Sequence, residues 1–89
     1  MPKDNYANLK AKLEEQNWPQ PYLFKFIIPS DNKKLALVEA LFGGDAQVSI
    51  RQSKNNKFTS VSAKEVMISP NEVIAIYKKA AAIEGIMSL

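Results

Sequence analysis

The run Tyr22-Leu-Phe-Lys-Phe-Ile-Ile constrains this chain more than any other feature. Its aromatic and β-branched content reads as a strand over residues 22–28. In a strand successive side chains alternate between faces, so Tyr22, Phe24, Phe26 and Ile28 share one side and Leu23, Lys25 and Ile27 the other. Both sides are largely apolar, so the strand belongs in the middle of a sheet. Pro19 and Pro21 lead into it and Pro29 ends it, since proline cannot donate to a ladder.

Elements around this strand follow from period and punctuation. Ser30 or Asp31 can cap a helix over residues 32–42, in which Leu35, Val38 and Leu41 or Phe42 make one buried face and Gly43-Gly44 supply a left-handed end. Residues 47–52 alternate, with Val48 and Ile50 on one side, as in a half-buried strand. Ser53-Lys54-Asn55-Asn56-Lys57 is a polar turn whose asparagines tolerate positive φ, and extended structure resumes over 58–68, giving a hairpin. Val61 and Ala63 share a face, but the next residue in phase is Glu65, while Val66 and Ile68 have the opposite parity. A bulge near Lys64-Glu65 that turns Glu65 to water is the simplest repair. Ser69-Pro70-Asn71-Glu72 combines an N-cap serine, proline at the first helical position and glutamate for a capping box. The helix it starts carries Val73, Ile76, Tyr77, Ala80 and Ile83 on one face, and Gly85 leads to a short terminal strand over 86–89.

Ahead of these elements, residues 4–16 form a helix with a narrow stripe of Tyr6, Leu9 and Leu13, which either docks or frays. Trp18 reads as a plug at the core edge, its indole N–H on a backbone carbonyl. The chain divides into a helix and Pro-containing linker at 1–21 and a domain at 22–89. The order βαββαβ predicts an α+β, ferredoxin-like two-layer sandwich, with an antiparallel four-stranded sheet and two helices on one face. The other sheet face stays open.

Three segments are more specific: Trp18-Pro-Gln-Pro-Tyr-Leu-Phe-Lys-Phe, Ser53-Lys-Asn-Asn-Lys-Phe-Thr-Ser-Val-Ser, and Val73-Ile-Ala-Ile-Tyr-Lys-Lys onward to Ile83. With them the chain resembles, over nearly its whole length, the YbeD-like small bacterial proteins, a domain family of unknown function. Asn55 and Asn56, with one extra residue, stand in place of the family's hairpin glycine. The family is similar in fold to ACT regulatory domains. That resemblance implies a small-molecule or protein-regulatory role and a ligand turn at Ser30, Asp31 and Asn32; on the residues alone, Ser30 and Asp31 read as caps.

Composition closes many chemistries. The 89 residues contain no Cys and no His, so no thiolate or imidazole is present for zinc sites, thiol catalysis or imidazole bases. No carboxylate pair and no phosphate-binding glycine loop is visible, and no cofactor is expected. The chain is expected not to be an enzyme. The opening residues are polar and lead into no apolar stretch, so no secretory leader, no membrane span and a cytoplasmic location are expected.

The net charge is only +3, but the cations cluster. Lys25, Arg51 and Lys64 join Leu23, Ile27, Ser49, Phe58, Ser60 and Ser62 on the open face or its end, and Lys54 and Lys57 lie in the hairpin. This face is expected to take an unknown protein partner or a small anionic ligand, with a homodimer through it or through an edge strand as another use. A solvated face with nothing bound is the plain alternative. RNA binding is the reading from another class, but the pair of stacking aromatics that the RNA-recognition fold uses is missing, and nucleic acid is not the expected partner.

Overall fold

The computed structural model describes residues 6–89. The elements are α1 (Ala7–Glu14), β1 (Gln20–Pro29), α2 (Asn32–Glu39), β2 (Gln47–Gln52), β3 (Phe58–Met67), α3 (Pro70–Ala81) and β4 (Met87–Ser88). The strands form one antiparallel sheet in the order β2-β3-β1-β4. With its three helices this is a small α+β structure consistent with a ferredoxin-like arrangement. The expected start of α1 at Asp4 lies outside the described residues.

β1 is central, and its two-sided apolar character is the reason. Phe24, Phe26 and Ile28 are fully buried beneath the helices together with Val61, Ala63 and Met67 of β3. Phe24 is the hub, with its ring 4.7 Å from Tyr22, 5.3 Å from Phe42 and 5.3 Å from Tyr77 by centroid. Tyr77 Oη sits 3.1 Å from Tyr22 Oη. Burial first, then the hydrogen bond to Tyr22, pushes the Tyr77 phenol far above the usual tyrosine range, so it stays protonated.

Several local expectations are corrected. β3 has no bulge: its register with β1 runs unbroken from Gln20↔Met67 to Pro29↔Phe58. Glu65 keeps the inward parity, opposite Tyr22, and is half-buried. It needs no bulge because its Oε2 accepts the Gly43 backbone N–H at 3.0 Å, a partner supplied by the loop after α2. α2 ends at Glu39, not Phe42. Its last turn tightens through Leu41 N–H to Val38 O and Phe42 N–H to Glu39 O, so no left-handed glycine is needed. Gly43 serves close approach instead, as a Cβ there would lie 2.8 Å from Glu65 Oε2. β2 is exposed along its whole length, with Val48 at 39% and Ile50 at 43%. As the edge strand it overhangs the helix layer, because the short α2 packs over β1.

Other local signals are met by named bonds. Asn56 has φ 59° in the hairpin turn. Ser69 Oγ accepts the Glu72 N–H at 3.3 Å, and Glu72 Oε1 accepts from the Ile68 N–H, one residue before the cap. Ser69→Ala is expected to lower stability by about 1 kcal/mol, read as a lower urea midpoint with an unchanged slope. The stripe of α1 docks on α3: Leu13 is buried and Lys78 Nζ lies 5.8 Å above the Tyr6 ring. Trp18 Nε1 donates to Leu13 O at 2.7 Å, fastening the turn into β1.

Candidate functional site

Register fixes what the open sheet face presents. Across β2, β3 and β1, one row holds Ser49, Ser62 and Lys25, and the next holds Arg51, Ser60 and Ile27. A third row, Gln47, Lys64 and Leu23, borders the first. β4 adds Met87 beside Ile27, and the Leu89 N–H donates to Lys25 O at 2.9 Å. Lys25, Ser49 and Ser62 of the first row and Arg51 and Ser60 of the second line a shallow hollow of about 320 Å³, with Leu89 at its rim.

The structure therefore brings Lys25, Ser49, Arg51, Ser60 and Ser62 together. Lys64 stands apart, one row along, where it lines a second hollow with Asp45, Gln47 and Pro21. Lys54 and Lys57 lie in the hairpin turn beyond the sheet, and Phe58 sits at the sheet's end opposite Pro29, 48% exposed. Leu89 as a rim residue is not legible locally in the sequence. The only signal for it is that a terminal strand paired antiparallel to β1 must end beside Lys25.

Electrostatically the outward strand positions have one sign. Every outward position of β1, β2 and β3 is neutral or basic; the one carboxylate in these strands, Glu65, points inward to Gly43. Among the described residues, the side chains of Lys25, Arg51, Ser49, Ser60 and Ser62 have no hydrogen-bond or ion-pair partner. Three other serine hydroxyls are spent: Ser30 Oγ lies 2.9 Å from Thr59 Oγ1, Ser53 Oγ donates to Asn55 Oδ1, and Ser69 caps α3. No buried side-chain polar atom among the described residues lacks a partner, so the unspent donors lie on the surface.

The turn after β1 differs in this respect. Ser30, Asp31 and Asn32 border a smaller hollow of about 190 Å³. Asp31 caps α2 through its Oδ1, which accepts the Lys33 N–H at 2.8 Å. Ser30 is not a cap: its N–H goes to Lys57 O and its hydroxyl to Thr59. Pairing to β3 holds Ser30 in the strand's continuation, out of reach of the helix start. The donors named here are used internally, and the Asp31 carboxylate opposes an anion.

Among the described residues, no helix is long and apolar enough to cross a membrane. No group of three or more Asp or Glu side chains there could hold a metal ion. Comparison of the chain with protein-family models, curated proteins and solved structures found no match.

Proposed function

We propose that this chain is a non-catalytic regulatory or interaction module of the ferredoxin-like class, acting in the cytoplasm through its open sheet face. The observation that carries the reading is the charge and hydrogen-bond state of that face. Its outward strand positions hold cations and hydroxyls with no side-chain carboxylate among them, and half-exposed Leu23 and Phe58 lie at its margins. Apolar side chains beside unspent donors suit recognition, where the former are desolvated and the latter fix orientation. The resemblance of three segments to the YbeD-like proteins, and of that family to ACT domains, is in keeping with it. No assembled acid-base pair argues for chemistry in its place.

The test is affinity capture from native extract with the immobilised chain, at two salt concentrations and with nuclease controls. A charge-reversed face, Lys25→Glu with Arg51→Glu, is compared with a reversal on the helix side, Lys33→Glu with Lys79→Glu. One specific protein should be retained by the wild type and the helix-side variant and lost from the face variant. Recovery of RNA alone, falling steeply with salt, would replace this reading with nucleic-acid binding.

A further inference from the structure

We propose that the hollow between Lys25 and Arg51 binds a phosphate monoester, held as its dianion by the two cations and by hydroxyls of Ser49, Ser60 and Ser62 from below. The proposal rests on the open face being the working surface and names what that surface takes.

Geometry comes first. Neighbouring strands lie about 4.8 Å apart and two residues along a strand span about 6.7 Å, which sets the Lys25 and Arg51 Cα atoms about 12 Å apart. Two long basic side chains at that separation can converge on one group above the serine floor. Ser62 lies directly between Ser49 and Lys25, and Ser60 directly between Arg51 and Ile27, so the floor is hydroxyl where the cations meet. The volume, about 320 Å³, falls at the lower end of small-ligand clefts, enough for a phosphate and a short organic body. Leu89 offers that body an apolar edge on the β4 side.

Chemistry then selects the ligand. Lys25, Arg51 and the three serines offer hydrogen-bond donors with no protein acceptor among the described residues, and no carboxylate on the strands opposes an anion. A phosphate monoester carries about −1.5 to −2 charge at neutral pH and three acceptor oxygens, which matches two cations and several donors. Arginine's planar fork takes two of those oxygens, and lysine acts as a point charge. A carboxylate would leave one cation uncompensated. A nucleic-acid strand would need bases stacked on aromatics, and Phe58 is the one aromatic at an outward strand position of β1, β2 or β3.

The experiment is an amide-resolved NMR titration of the full chain at constant ionic strength, with inorganic phosphate, glycerol phosphate and a short single-stranded RNA as separate probes. Phosphate and glycerol phosphate should shift the Ser49, Arg51, Ser60 and Ser62 amides saturably, glycerol phosphate more tightly. Lys25→Gln and Arg51→Gln, both exposed and expected to fold, should each weaken binding about tenfold. Non-saturable shifts, shifts unchanged in the double variant, or a response to RNA alone would overturn the assignment. Partner capture that depends on the face while phosphate fails to bind removes the phosphate and leaves the module. Saturable phosphate binding with capture indifferent to the face removes the partner reading and leaves the phosphate site.

Discussion

Phe24→Ala is expected to cost about 3–5 kcal/mol, enough to remove most of the stability of a domain this small. Phe24 has no solvent exposure and lies among the rings of Tyr22, Phe26, Phe42 and Tyr77, contributed by β1, the loop after α2, and α3. Truncation removes the aromatic burial and leaves a cavity walled by those rings and closed by β3 on the sheet side. Small shifts do not refill the site, because a ring cluster fixed from three elements relaxes only partly. A lower urea midpoint with an unchanged slope checks it, and a loss below about 1 kcal/mol would show the cluster is not the core. Phe24→Leu keeps most of the volume and should cost roughly half as much or less.

Gly85→Val should be the next most damaging change, at about 2–5 kcal/mol from two separate causes. Gly85 has φ 81°, a conformation that a β-branched residue adopts only under strain. A Cβ there would also lie 2.9 Å from Pro29 Cγ and 3.2 Å from Cδ, and the stiff proline ring at the end of the central strand cannot swing aside. Gly85→Asn separates the causes, since asparagine tolerates left-handed backbone but still adds the Cβ. It should cost measurably less than valine. Because Gly85 aims β4 onto β1, valine should also speed hydrogen exchange at Leu89, whose N–H bonds to Lys25 O, and so open the rim of the candidate site. Exchange at Leu89 unaltered by valine would separate the turn from the strand it precedes.

Elements governed by neighbours in sequence were legible without coordinates. The Ser69-Pro70 start of α3, the Asn56 turn, the strand at 47–52 and the parity that sends Lys25, Ser60 and Ser62 outward all appear as expected. Capping, turn chemistry and two-residue alternation act over a few residues, and the residues concerned are on the page. Glu65 marks where that reach ends. Its parity conflicted with an apolar face, and a bulge was the local solution; the observed one is the Gly43 N–H, 22 residues back along the chain. Ser30 was diverted in the same way, to Thr59 and Lys57 of the hairpin.

The sequence by itself determined that β1 is central, that one sheet face carries the cations, and that cysteine and histidine chemistry is absent. Only the tertiary structure decided which of those cations lie together. Cross-strand register set Ser49, Ser62 and Lys25 in one row and Arg51 and Ser60 in the next, moved Lys64 a row away, and left Lys54 and Lys57 in the hairpin beyond. The physical reason is that alternation fixes a side chain's face from its own strand, whereas its neighbours on that face depend on how three strands slide past one another. That register is set by the packing of Phe24, Phe26, Val61 and Ala63 on the opposite side of the sheet.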